Sequence, residues 1–462
     1  MREYYIIIDD ALKVGLKPEA KVIKNSPVLS ECFGYKVGRL GLEGIVGLTN
    51  PIPATIDIKY SWPFPQFLVG EKYRILIIRD SFGMEDHVYS LNETYTTATH
   101  IFSVDALTFG QGTLMELADF GEYAFMTNGV IMLYWDPTLV AWDKKTSIST
   151  IPMMRTVCNF KGQMIGGCVL SAWYDCDEKS IVWSNIGSAD FTLSRRNEAG
   201  YRRDPFGGEI YHVRRLGDNV IVYSSKGITK MFPVSGPAAT FGFKELHNRG
   251  LLNRGAMDGD LNEHSFVDSD YVIHKINDSG LNRIGYQSYM DNLINGDVIV
   301  NYDSNEGDFY FSDGVKSYLL SSKGLTEHPG YMSAVWYDRL LYGLPVTDTD
   351  ITTMPYIKSD VIDMGYRGQK TIFTVEVDID GVEVAIEYRN RTKDLFKQTP
   401  FSPINDLGIA SIIVSGVEFR VIVRSLEFNL LTEGPDRIVV RWKMTDLRGL
   451  RGVYAAPPRG QA

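Results

Sequence analysis

The sequence predicts an all-β protein: a β-propeller of about five or six blades with an additional C-terminal β-sandwich domain. Three observations carry this expectation. Short runs rich in Val, Ile, Tyr, Phe and Thr recur along the 462 residues, separated by Gly, Asp and Asn, and their period is two rather than 3.6. A degenerate unit of strand, polar-Gly turn and strand repeats through the middle of the chain. Beyond Pro345 the alternation of apolar and charged residues becomes regular enough to mark a further domain.

Taken in order, residues 1–93 read as an irregular β region that packs on, or completes, the propeller. Segments 6–8, 56–59 and 75–78 have strand composition, while Pro51, Pro53, Pro63 and Pro65 keep the stretch among them from being ordinary central sheet. Residues 94–345 form the expected propeller. Its repeating unit is visible at 123–133, 220–231, 271–284 and 309–319, where Gly129, Gly227, Gly280 and Gly314 sit in the turns. Each glycine is expected to supply the positive φ of a tight hairpin. A further strand pair lies at 163–170 and 180–184. Blades of roughly 40–50 residues would close a ring and protect the edges of an open sheet.

Residues 346–355, rich in Thr and Asp, read as a linker. In the sandwich, 356–446, Phe373, Val375, Val377 and Ile379 alternate with Thr374, Glu376 and Asp378. Asp380-Gly381 then turns the chain, and Val382, Val384, Ile386 and Tyr388 return, so a two-strand hairpin is expected. Segments 417–421 and 438–444 continue the pattern. The extended tail, 447–462, carries Arg448, Arg451 and Arg459 and no acid, and is expected to make inter-subunit contacts.

Composition excludes several classes. With 44% hydrophobic and 23% charged residues the chain can bury a core, unlike a disordered segment, and its 43 Gly show no collagen period. No apolar run reaches the roughly 18 residues of a membrane helix, and the start lacks a secretory pattern, so synthesis in the cytoplasm is expected. A net charge of −10, from 47 basic and 57 acidic residues, argues against a tight DNA clamp. Carboxylates can still surround DNA without gripping it. Cys32, Cys158, Cys168 and Cys176 are too few for a disulfide scaffold and are expected reduced and mostly buried.

The search for chemistry is mostly negative. The seven histidines lack metal-ligand spacing, and 258–263 begins like a calcium loop but places Glu263 where Gly belongs. Arg195-Arg196 and Arg202-Arg203 are diluted by Glu198 and Asp204. No nucleophile elbow, phosphate loop or dinucleotide fingerprint occurs. The expectation is a protein without catalytic residues, metal or cofactor.

Ile181-Val182-Trp183-Ser184-Asn185-Ile186-Gly187-Ser188-Ala189-Asp190-Phe191 is a strand ending in Trp-Ser-Asn, a small-residue turn, then Asp and an aromatic. With Arg214-Arg215-Leu216-Gly217-Asp218-Asn219-Val220-Ile221-Val222-Tyr223, it resembles the propellers of tail hub proteins of short-tailed bacteriophages, the nozzle or packaged-DNA stabilisation proteins. The resemblance covers 94–345 as a pattern and implies a structural virion protein. It implies a homo-hexameric ring below the portal and adaptor, through which double-stranded genomic DNA is retained and then ejected without specific binding. The rival reading is a carbohydrate-binding propeller, receptor-recognising or lectin-like, with stacking surface from seven Trp and 26 Tyr. A propeller glycoside hydrolase is the third.

Overall fold

Alternating apolar positions become strands throughout the computed structural model. It describes residues 3–18, 25, 28–39, 41–45, 66–69, 73–79, 85–92, 97–105, 114–120, 123–136, 141–145, 149–235, 240–293, 297–330, 332–336, 339–342, 353–427 and 434–445. The chain is nearly all β; among the described residues the helical turns are Asp10–Lys13 and Gln287–Met290. No helix among them is long and apolar enough to cross a membrane. Two units emerge: a central unit, 48–315 with 331–345, and a terminal unit assembled from 1–47, 316–330 and 346–462.

The central unit contains five four-stranded antiparallel sheets in chain order. The first is Gln66–Val69, Arg74–Arg79, Glu85–Leu91 and Ala98–Asp105; the second is Glu116–Phe120, Tyr123–Thr127, Met132–Asp136 and Ala141–Lys145. Met154–Phe160, Gln163–Val169, Ser180–Trp183 and Gly200–Arg203 make the third. Ile210–Leu216, Asn219–Ser224, Ile228–Pro233 and Phe241–His247 make the fourth. The fifth is Met257–Gly259, Glu263–Val267, Ile273–Asn277 and Gly280–Gly285. Ile299–Asp303 then pairs with Asp308–Ser312 at the end of a longer sheet, and Met332–Trp336 pairs with Arg339–Tyr342 in a two-stranded one.

Successive sheets stack face to face. Ile75, Ile77 and Val88 of the first meet Met126 and Leu133 of the second, and Phe125 and Met132 meet Val157 and Met164 of the third. Ile165, Ile181 and Trp183 meet Val213, Val220 and Val222 of the fourth; Ile221 and Tyr223 meet Met257 and Phe266 of the fifth. A sheet covered on both faces buries consecutive residues, so Gln163–Val169 is buried at every position. The first strands lie side by side: 66–69 beside 116–120, then 154–160, then 210–216, while 257–259 lies beside 299–303, which neighbours 332–336, which returns to 66–69.

The terminal unit pairs two sheets. One has the order Glu3–Ile8, Ile438–Met444, Lys370–Val377, Ile409–Gly416. The other includes Leu29–Phe33, Tyr356–Ser359, Glu418–Ser425 and Val382–Arg389. Here one face is covered, so Ala410, Ile412 and Val414 are buried while Ile413 is 83% exposed.

Among the described residues of the N-terminal region, 3–8 and 29–33 pair within the terminal unit's sheets, whereas 66–69, 74–79 and 85–91 complete the first sheet of the central unit. The expected hairpin at Asp380-Gly381 is an arch: Lys370–Val377 pairs with 409–416 and 438–444, whereas Val382–Arg389 pairs with 418–425 in the other sheet. The turn, with Gly381 at φ +69°, passes the chain from sheet to sheet. Alternation specifies which face of a strand is buried, not which strand lies beside it. Segment 56–59, the four prolines and most of the linker lie outside the described residues.

Candidate functional site

Hydrogen bonds run along the row of first strands, each from a polar side chain to the next sheet. Gln66 Nε2 donates to the Met115 carbonyl (2.7 Å) and its Oε1 accepts the Met115 amide (3.0 Å). Glu116 accepts from Thr156 Oγ1 (2.6 Å) and from the Val157 amide (3.2 Å), and Thr156 Oγ1 in turn accepts the Val213 amide (2.9 Å). His212 donates from Nδ1 to Glu116 and from Nε2 to the Arg254 carbonyl, which leads into the fifth sheet. Asp258 accepts the Tyr302 amide (2.9 Å), and Asn301 donates to the Met332 carbonyl (3.3 Å).

The charges in this row are buried, as at Glu116 and His212, or half-buried, as at Arg214 and Asp258, and they compensate one another. Burial pushes the Glu116 carboxyl up, but Arg214 and His212 outweigh it and hold it below its ordinary value. Burial opposes the charge on Arg214, and Glu116 and Asp258 restore it. For Asp258 burial wins and the carboxyl is raised. Chemically this row fastens sheets together; its groups are spent on one another.

A second constellation opens outward between the fourth and fifth sheets. His247 ends the last strand of the fourth sheet, where a register shift between Ile228 and Thr229 re-aims it. His274 is the second residue of Ile273–Asn277, beside another register shift, and its ring stacks on its cross-strand neighbour Phe266 at 5.1 Å. Asp268 begins the turn between the second and third strands. Its Oδ1 accepts the amides of Asp270 and Val272, both at 3.0 Å, a turn in which Tyr271 adopts φ +63°.

With Oδ1 held by backbone, Asp268 Oδ2 faces both imidazoles: His274 Nε2 donates to it at 2.8 Å and His247 Nε2 at 3.1 Å. The two rings lie 4.6 Å apart. Burial pushes the Asp268 carboxyl up, but hydrogen bonds from His274, the Val272 amide and His247 outweigh this and hold it at about 2. Asp268 and His274 are buried and His247 is half-buried. The three border a cleft of about 570 Å³ lined also by Arg249, Asp270 and Arg283. One ligand atom from each lies within 4.8 Å of the others.

The singled-out turn glycines do not act alike. Gly129, Gly280 and Gly314 have positive φ (+91°, +131° and +85°). Gly227 does not: it is required because a Cβ there would lie 2.3 Å from the Phe206 ring. Gly129 and Gly227 follow the second strands of their sheets, whereas Gly280 opens the fourth strand of its own, so the repeat seen in sequence mixes two hairpins. Arg448, Arg451 and Arg459 lie outside the described residues.

Other expected groups are dispersed. Arg203 pairs with Asp177 and Arg202 sits over Phe243. Asp258 accepts the Tyr302 amide from its strand while Asp260 Oδ1 caps a turn by accepting the amides of Asn262 and Glu263, so the calcium-like run gathers no ligand set. All four cysteines are free thiols; burial pushes Cys158 and Cys168 up to about 12.

Sequence reading missed the His247, Asp268 and His274 group because its members lie 21 and six residues from Asp268, with no local spacing rule. The available signal was positional: Asp268 occupies the turn start that Asn128, accepting the amides of Val130 and Ile131, occupies in the second sheet. No protein-family model and no curated protein sequence matches this chain.

Proposed function

We propose that this chain is a structural virion protein, a tail nozzle or hub subunit of a short-tailed bacteriophage. In this reading the central unit is a closed β-propeller with seven positions, five filled by the four-stranded sheets and two by the strand pairs at 299–312 and 332–342. The observation that carries it is the row of first strands, tied one to the next by buried or half-buried polar side chains, with 332–336 returning to 66–69. Such a row holds one radius and one spacing, which suits a part whose task is to keep its shape under load. The residues that carry the resemblance have structural roles: after Ile181–Trp183 the turn closes through the Asn185 amide on the Asp190 carbonyl (2.8 Å), and Phe191 is buried between sheets.

Assembly follows the same logic. A six-subunit ring of chains at −10 would carry about −60, a surface that repels phosphates and lets DNA slide. Adaptor, portal and other tail proteins are the partners, and DNA passes without specific contacts. Native mass spectrometry and negative-stain imaging of the purified chain, alone and with candidate tail partners, test this. Rings of about six copies with a channel wide enough for duplex DNA are expected. A strict monomer under every condition overturns the proposal and moves the reading to a sugar-binding propeller.

A further inference from the structure

We propose that His247, Asp268 and His274 form a binding site for a divalent transition metal, with Zn²⁺ the best match. Two imidazoles and one carboxylate leave a tetrahedral ion one open position, and that donor set suits Zn²⁺ better than the all-oxygen cages of Ca²⁺ or Mg²⁺. The separations from Asp268 Oδ2, 2.8 Å to His274 Nε2 and 3.1 Å to His247 Nε2, are those of hydrogen bonds. Bonds of about 2.0–2.1 Å to one ion would set the donors about 3.3 Å apart, so each imidazole nitrogen need move only a few tenths of an ångström from Asp268 Oδ2, while the two imidazoles, whose ligand atoms lie within 4.8 Å, swing toward a common ion.

Three features distinguish this trio from an ordinary packed network. Asp268 is oriented from behind: the amides of Asp270 and Val272 hold Oδ1 and leave Oδ2 as a single forward-facing ligand. The trio opens on a cleft of about 570 Å³, room for water or an exogenous donor in the fourth position. His274 Nδ1 is buried without a hydrogen-bond partner, so no donor to Nδ1 locks the tautomer that now donates from Nε2. Binding shifts the proton of each neutral ring from Nε2 to Nδ1, freeing the Nε2 lone pair for the metal. Because nothing receives the proton on His274 Nδ1, affinity should fall below that of a fully backed site by the ~10–100-fold such partners contribute.

The test uses the full chain, stripped with a chelator and dialysed. Zn²⁺ is titrated by calorimetry, with bound metal counted by elemental mass spectrometry and melting followed in parallel. Binding of one Zn²⁺ per chain is expected, with a rise in Tm because the unfolded chain lacks the site. His247→Ala, at a half-buried position, should leave the metal-free Tm near that of the parent and weaken binding by ~100-fold or more. Asp268→Asn should do the same to binding, and His247→Ala alone decides the matter if that variant fails to fold. Absence of stoichiometric binding at ~100 µM free Zn²⁺, or equal binding by His247→Ala, overturns the proposal.

Discussion

His264 has one ring nitrogen 2.9 Å from the Tyr223 hydroxyl and the other 3.1 Å from the Arg215 carbonyl, which the neutral ring satisfies by accepting at one and donating at the other. Burial, reinforced by Arg214, lowers its pKa to about 4. The unfolded chain then binds a proton at a higher pH than the folded one. The contribution of this residue is complete above the ordinary histidine value of about 6.5 and is lost as pH falls toward 4, by about 3 kcal/mol at most. Chemical denaturation of wild type and His264→Gln across pH 7.5 to 4 checks this: the wild-type curve should fall more steeply. Gly227→Ala carries a different cost. Its Cβ would overlap the Phe206 ring, so a loss of about 1–3 kcal/mol is expected, read as a lower urea midpoint at unchanged slope.

Between elements, Thr156 donates to Glu116 of the second sheet and accepts the Val213 amide of the fourth, so one hydroxyl joins three sheets. Thr156→Val keeps the shape and strands both partners, which should cost about 1–3 kcal/mol; Thr156→Ser should restore most of it. Equal losses in the two variants would assign the effect to packing instead. The arch at Asp380-Gly381 illustrates why partners are harder to read than faces. Val375 and Val384 are buried as the alternation predicts, yet pairing follows distant strands, where Glu383 meets Arg424 and Glu376 meets Arg441.

For the whole molecule, the proposed ring sets the expectations. Charge reversal is the relevant probe for a basic tail on an acidic chain. Replacing Arg448, Arg451 and Arg459 together by Glu should shift assembled rings toward monomer on native mass measurement while leaving the monomer's Tm unchanged. The wild-type ring should weaken as salt rises. An unaltered mass distribution in the triple variant would remove the tail from the assembly surface.

The amino-acid order alone determined the all-β class, the hairpins at 123–133, 163–184, 220–231 and 271–284, and the one-sided strands after Pro345, because all depend on period two and on turn chemistry within a few residues. It also marked the turn positions, though only the folded environment showed that Gly227 is needed for space rather than for φ. Tertiary structure decided the rest. It placed residues 3–8 beside 438–444, sent the chain at Asp380-Gly381 from one sheet to another, and set His247 against Asp268 and His274. Strands covered on both faces, such as Gln163–Val169, lose the alternation that would orient them. Contacts between distant segments are chosen by packing and charge compensation in three dimensions, and no local period records them.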